Sequence, residues 1–308
     1  MKPVSGDSGP QPVTRTTAAG VGFDLYEPAG PPRRTCLAVH GATLAGKEDG
    51  RLKSFARCLA ASGVRAAVPD LRGLKSCVFS EGDVLAIADL AASLGSEYGK
   101  PVAMAGFSFG AGLSLVAAAK EELAGFVDPI LCFGAHHSMD GLWALHLPET
   151  RPPRTEAEWH DHIYLRLALA YPVMDRLGLS REDKAVIADA LGSYCADPSV
   201  EAKRRAYALV ERRSLAELYE LGVDPKVNNA LSPAGKLGRL RSRVILLHDA
   251  NDRLIPPDHS RRLFDELKPG GRASLLVTPL LSHVAPGSIP RGLADILPLL
   301  RMVGAVVG

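Results

Sequence analysis

Gly106-Phe107-Ser108-Phe109-Gly110 is the segment of the chain best suited to nucleophilic chemistry. A serine hydroxyl attacks a carbonyl near neutral pH only when a base takes its proton. A Gly-x-Ser-x-Gly string is weak by itself, since it arises by chance in roughly one chain in ten of this length. Its setting gives it weight. The run Pro101 to Ala105 reads as a strand leading directly into the string, and Gly110 to Lys120 reads as an Ala/Leu-rich helix that follows without a break. A serine on such a turn sits on strained backbone, and its flanking glycines let strand and helix approach closely. The competing reading is a glycine-rich turn with an incidental serine.

The base should come from one of nine histidines. His283, in Leu280-Leu281-Ser282-His283, follows the last predicted strand and is the expected base. His248 also ends a strand and competes with it. His40 stands beside Gly41 at a turn, where a structural role is expected, and His259 falls in a predicted helix, facing solvent. A carboxylate must hold the base in one tautomer and stabilise its imidazolium. His248-Asp249-Ala250-Asn251-Asp252-Arg253-Leu254-Ile255-Pro256 offers Asp252 on the loop proper, the favoured choice. Asp249 abuts the strand and suits a turn bonded to its own backbone; Asp140 is a third candidate. An oxyanion would need two backbone donors, Phe109 N–H and, in His40-Gly41-Ala42-Thr43, Ala42 N–H. His40, Thr43, Phe107, His136 and His137 are the candidate pocket residues.

These groups need a scaffold that brings them to one edge. Apolar runs at Thr35–Val39, Val64–Val68, Pro101–Ala105, Phe126–Phe133, Val244–Leu247 and Ser274–Val277 read as strands. Helical periodicity separates them at Lys47–Ser62, Asp83–Leu94, Gly110–Lys120 and Asp258–Leu267, with a last helix at Leu293–Val303. This alternation predicts an α/β fold with a mostly parallel twisted sheet flanked by helices. A hairpin is expected over Val13–Tyr26, and residues 1–17, rich in Pro, Gly, Ser and Thr, read as a disordered lead-in. Residues 136–238 show helical periodicity and no convincing strand, too long for a loop in a compact domain. They read as a helical cap inserted in a core of 18–135 and 239–308.

Composition narrows the partners. The 308 residues are 46% apolar and 23% charged, with a formal net charge of +2, which gives no reason to expect nucleic acid or an anionic membrane. Lys203-Arg204-Arg205 and Arg212-Arg213 read as solvated helix faces. Cys36, Cys58, Cys77, Cys132 and Cys195 are odd in number and widely spaced, as expected of buried free thiols rather than disulfides or a zinc site. No run reaches the ~18 apolar residues of a membrane span, so a soluble, cytoplasmic protein is expected. His160-Asp161-His162, beside Trp159, has a metal-like spacing without further ligands, and reads as polar helix surface. Neither a metal nor an organic cofactor is expected; the oligomeric state is left open.

Taken together, His40-Gly41, Pro69-Asp70-Leu71-Arg72-Gly73, the serine turn, Asp252 ahead of Ile255-Pro256, and His283 make the chain resemble the α/β-hydrolase superfamily. The order Ser108, Asp252, His283 is the chain order of that fold's triad. The resemblance implies that a helical insertion at this point is a cap closing over the active site. Two departures stand out: Leu74-Lys75-Ser76 lacks the second glycine many members show, and Asp249 replaces a glycine that often follows the histidine. The expected activity is hydrolysis of an ester or related acyl compound through an acyl-serine. The alternatives are carbon–carbon bond hydrolysis or acyl transfer with the same triad, and a non-catalytic binding protein on a hydrolase scaffold.

Overall fold

Alternating apolar residues in the strands bury both faces of one large sheet. The computed structural model describes residues 10–99, 101–194, 199–279, 281–282, 285–286 and 304. The chain opens with the hairpin β1 (Val13–Thr16) and β2 (Gly22–Tyr26), in which Thr14 faces Asp24 and donates its hydroxyl to that carboxylate at 2.8 Å. The lead-in expected over 1–17 therefore gives way to a sheet strand by Val13. There follow β3 (Arg34–Val39), α1 (Gly50–Ala61), β4 (Val64–Pro69), α2 (Arg72–Lys75), α3 (Glu81–Tyr98), β5 (Val102–Phe107), α4 (Phe109–Ala118) and β6 (Val127–Phe133).

The sheet has eight strands in the order β1-β2-β4-β3-β5-β6, continuing with β7 (Val244–Asp249) and β8 (Ala273–Thr278). From β4 to β8 neighbouring strands are parallel, while β1 and β2 pair antiparallel at one edge. On β3, Cys36 and Ala38 face the layer that holds α1, and Leu37 and Val39 face the layer that holds α3 and α4. Leu131 and Phe133 of β6 alternate in the same way with Ile130 and Cys132. Burial on both faces is why these strands read as unbroken apolar runs. Strand order reverses at β3, so the carboxyl ends of β3 and β5 flank the crevice where open α/β sheets place their ligands.

Between β6 and β7 lie only helices among the described residues: α5 (Met139–His146), α6 (Glu156–Ala170), α7 (Arg181–Gly192), α8 (Val200–Ala208), α9 (Leu215–Gly222) and α10 (Lys226–Leu231). Five start on a hydroxyl cap: Ser138, Thr155, Ser180, Ser199 and Ser214 accept N–H groups three residues on. Each such cap contributes about 1 kcal/mol. Within the insertion the buried Arg166 guanidinium binds Glu149, whose carboxylate also accepts the first N–H of α9. Lys203, expected on a solvated face, is buried, with Nζ 4.6 Å from the Tyr194 ring centre and 3.4 Å from His160 Nδ1. After β7 come α11 (Asp258–Leu267) and, beyond β8, the short antiparallel pair β9 (Leu281–Ser282) and β10 (Ala285–Pro286). The helix expected at Leu293–Val303 and Cys195 lie outside the described residues. Cys36, Cys77 and Cys132 are buried, but Cys58 is exposed on α1, contrary to expectation.

Neutral histidines join the insertion to the core. His136 is fully buried against α4, its Nε2 donating to Leu231 O at 3.0 Å. Its ring occupies the space a side chain at Gly112 would need: a Cβ there would stand 2.1 Å from His136 Cε1. His259 of α11 is buried too, not solvent-facing as expected, and its Nδ1 accepts His137 N–H at 3.1 Å. Burial pushes both His136 and His259 down to about 4, from an ordinary value of 6.5, with His136 as a lesser cause at His259.

Two outcomes follow. Between pH 6.5 and 4 the unfolded chain binds protons on these histidines that the folded chain does not. Stability therefore falls with decreasing pH across that window, by up to about 1.4 kcal/mol per pH unit for each group. Urea unfolding measured from pH 7 to 4 should show this slope, and a flat profile would contradict it. Gly112→Ala should cost about 1–3 kcal/mol by overpacking against the His136 ring, measurable as a lowered urea midpoint.

Candidate active site

Ser108 sits where β5 stops and α4 begins, with φ 53° and ψ −126°. A non-glycine residue at positive φ stores strain of about 1–3 kcal/mol and persists only when its surroundings hold it. Here the hold is explicit. Ser108 N–H donates to Phe133 O on β6 at 2.7 Å, and Ala111 N–H closes on Ser108 O at 3.0 Å. Gly110 has no room for a side chain, since a Cβ there would stand 2.1 Å from His40 O, so α4 starts directly against the end of β3. Phe107 and Phe109 turn to opposite layers. The Phe107 ring stacks on Phe133 at 4.9 Å and meets Phe55 edge-on, while Phe109 packs on Phe79 and His136. Ser108 is left between them at the carboxyl edge of the sheet. Phe109 is the first residue of α4, so its N–H has no acceptor inside the helix and adds to the positive N-terminal end.

The loop after β3 lies beside the serine. A Cβ on Gly41 would stand 3.0 Å from Ser108 Cβ and 3.7 Å from Ser108 Oγ. His40 is buried and serves this loop: Leu71 N–H points at its Nε2 at 3.4 Å, so Nδ1 carries the proton and donates to Gly41 O at 2.8 Å. Burial lowers its pKa, which favours this neutral form. Thr43 O accepts Gly46 N–H at 3.0 Å, closing a turn. From the insertion, Tyr164 of α6 donates its hydroxyl to Ala42 O at 2.8 Å.

The loop after β7 carries the acids. Asp252 is buried, and its Oδ1 accepts the N–H groups of Leu254 and Ile255 at 3.0 and 2.9 Å. Asp249 Oδ1 accepts Asn251 N–H at 2.9 Å, the local turn bond its position suggests. His248 has both ring nitrogens engaged, Nε2 donating to Ile255 O at 2.7 Å and Nδ1 standing 2.6 Å from Ser260 Oγ. It braces the loop, and its Nε2 also stands 3.6 Å from Asp252 Oδ2. The insertion grips the same loop, with His146 Nε2 donating to Leu254 O at 2.9 Å and Asp161 2.6 Å from Arg253 Nε. Asp140 Oδ1 accepts Asn228 Nδ2 at 2.7 Å, an anchor between α5 and α10. His283 lies outside the described residues.

The structure thus brings Ser108, Gly41-Ala42 and the N-terminus of α4 together, with Asp252 in the loop after β7 on the same sheet edge. Several pocket candidates go elsewhere. His136 is in the core behind Phe109, and His137 pairs with Glu266 on α11 at 3.2 Å. His40 is committed to backbone groups, and Phe107 packs in the α1 layer. Tyr164, His146 and Asp161 reach the loops beside the site without any local sequence signal, because only the folding of the insertion aims them there. His160 and His162 both lie on α6, where His162 sits 3.3 Å from Arg166 and His160 meets Lys203. A surface cleft of about 480 Å³, lined by Val84, Leu85, Val116, Lys120, Lys236 and Arg239, opens at the far end of α4. That end lies about 15 Å from the serine along the helix.

Comparison with known proteins agrees with this architecture. Residues 36–296 match the sequence profile of the alpha/beta hydrolase family. No curated protein sequence matches the chain significantly. Among solved structures, it is similar to a serine hydrolase from the polyaromatic-hydrocarbon-degrading bacterium Cycloclasticus zankles, with 14% identity, a TM-score of 0.56 and 97% of each chain covered. It is also similar to a meta-cleavage product hydrolase from Pseudomonas fluorescens, with 16% identity, a TM-score of 0.50, and 95% and 96% of the two chains covered. A Pyrococcus furiosus esterase matches with 13% identity and a TM-score of 0.52 over 96% of this chain and 88% of its own. At these identities the likeness speaks for the fold alone. Among the described residues no helix is long and apolar enough to cross a membrane. With the family profile spanning most of its length and the fold of the sheet in agreement, the chain belongs to the alpha/beta hydrolase family, and is an enzyme of the hydrolase class.

Proposed function

We propose that the protein cleaves an ester or related acyl substrate through an acyl-serine intermediate formed on Ser108. The observation that carries this reading is the strained turn at Ser108, held against Gly41 on one side and the α4 N-terminus on the other. A tetrahedral oxyanion requires two main-chain donors, and in this reading the Gly41-Ala42 backbone and the α4 N-terminus, which flank the serine, supply them. Ser108 Oγ attacks the acyl carbon while its proton passes to His283. The oxyanion is received by Phe109 N–H and Ala42 N–H. The leaving alcohol takes the proton from His283, and a water activated by the same base releases the acid. Asp252 orients His283 and stabilises its imidazolium. In support, Asp252 is buried with Oδ1 fixed by two backbone donors, and β9, whose last residue Ser282 precedes His283 in the chain, lies against β7, from which the Asp252 loop springs. The helices of the insertion act as the cap, shaping the acyl site from above; their bonds to the loops after β3 and β7 support this.

Ser108→Ala should abolish labelling by a fluorophosphonate probe and lower p-nitrophenyl ester turnover by more than about a thousandfold. Full activity in that variant would refute the nucleophile. A wild type that labels at Ser108, ignores every ester and cleaves a vinylogous diketone would replace ester hydrolysis by carbon–carbon bond hydrolysis. Asp252→Asn keeps an Oδ1 acceptor for Leu254 and Ile255 but removes the charge. It should leave the thermal midpoint within a few degrees while kcat falls, by up to about ten-thousandfold; an unchanged kcat would remove Asp252 from the triad.

A further inference from the structure

The two peptide planes that meet at Ala42 are held from different parts of the molecule. Gly41 O and Ala42 N–H belong to one trans peptide, so they point in opposite directions from one rigid plane. His40 Nδ1–H binds Gly41 O at 2.8 Å, and His40 is itself fixed by Leu71 N–H. The core therefore sets the plane that aims Ala42 N–H. The next plane carries Ala42 O, and this oxygen accepts the Tyr164 hydroxyl at 2.8 Å. Tyr164 stands on α6, three residues after Asp161, which binds Arg253 of the loop after β7. Residues at i and i+3 share a helix face, so one face of α6 touches both loops that flank the serine. The Tyr164 ring packs on the Tyr194 ring with centroids 5.1 Å apart, while the Tyr194 hydroxyl is spent on His160 O inside the insertion.

We infer that Tyr164 is a positioning residue for the oxyanion donor: its hydroxyl, by holding Ala42 O, fixes the backbone dihedrals at Ala42 and keeps Ala42 N–H aimed at the developing oxyanion. The inference rests on the acyl-serine reading given above. It makes the docking of α6 part of the catalytic geometry and not only a wall of the substrate site. In Gly41-Ala42-Thr43, Gly41 has no side chain and Ala42 sets only a methyl group against the apolar core. The bonds to Gly41 O from His40 and to Ala42 O from Tyr164, beside the turn bond at Thr43 O, supply the restraint on this loop.

The test compares the wild type with Tyr164→Phe, which deletes the hydroxyl and leaves the ring on Tyr194. Removing an oxyanion donor outright costs about a hundred- to a thousandfold. Here the donor stays but loses one of these restraints, so kcat should fall about five- to twentyfold with KM within about twofold. The inhibition constant of a trifluoromethyl ketone, which forms a serine-bound oxyanion, should rise by the same factor as kcat/KM falls. Tyr194→Phe, which removes a hydrogen bond inside the insertion and none to Ala42, should keep kcat within about twofold. A Tyr164→Phe enzyme with unchanged kcat, or with a raised KM and an unaltered ketone inhibition constant, overturns the inference and makes Tyr164 a docking contact. Matching losses of kcat in Tyr164→Phe and Tyr194→Phe, with lowered thermal midpoints in both, overturn it as well. Failure of the wild type to label at Ser108 overturns the acyl-serine reading and this inference together. Labelling of the wild type with an unaffected Tyr164→Phe variant overturns this one alone.

Discussion

Helix α4 begins so close to the end of β3 that a single methyl group at position 110 would overlap the His40 carbonyl oxygen. The site depends on that approach. It forces the chain to turn within one residue, which places Ser108 at positive φ, and it brings the Gly41 backbone alongside Ser108. It also brings the unpaired N–H groups at the start of a helix to the crevice made by the reversal of strand order. Strain at the serine is offset by its N–H bond to Phe133 and by the aromatic packing of Phe107 and Phe109 in opposite layers. The nucleophile, itself buried, is thus positioned by backbone geometry, while its neighbours anchor the turn.

Buried imidazoles carry much of the remaining structure near the edge. His40 ties the loop after β3 to the loop after β4, and His248 braces the loop after β7. His136 and His259 join the insertion and α11 to the core. In each case a backbone N–H or carbonyl fixes which ring nitrogen holds the proton, and burial favours the neutral ring at His40, His136 and His259. A buried neutral imidazole satisfies backbone groups that a loop would otherwise leave unpaired. This explains how a chain with so many histidines near one sheet edge can use most of them structurally.

The insertion extends the core and is not simply laid upon it. Ile163, Leu167, Ile187 and Leu218 belong to one continuous apolar cluster with Phe109, Met139 and Trp143. Its polar bonds reach both loops beside the serine, through Tyr164 to Ala42 and through His146 and Asp161 to the Leu254 and Arg253 positions.

Much was readable in the order of residues. The six parallel strands, the four described helices expected between them, and the turn at Ser108 follow from apolar runs, helical periodicity and glycine placement, because these act over a few neighbouring residues. The turn bond at Asp249 is local in the same sense. What only the tertiary structure decided is which side each polar residue faces. Helical periodicity suggested that His259 and Lys203 meet solvent, yet both are buried against partners more than forty residues away or in another element. His136 reads as a rim residue from its place after β6, and becomes a core residue because Gly112 leaves room for its ring. Tyr164 carries no motif, and its bond to Ala42 spans 122 residues. Backbone conformation is set largely by local sterics and hydrogen bonding. The environment of a side chain is set by whatever the fold brings against it, and that information is spread over the whole chain.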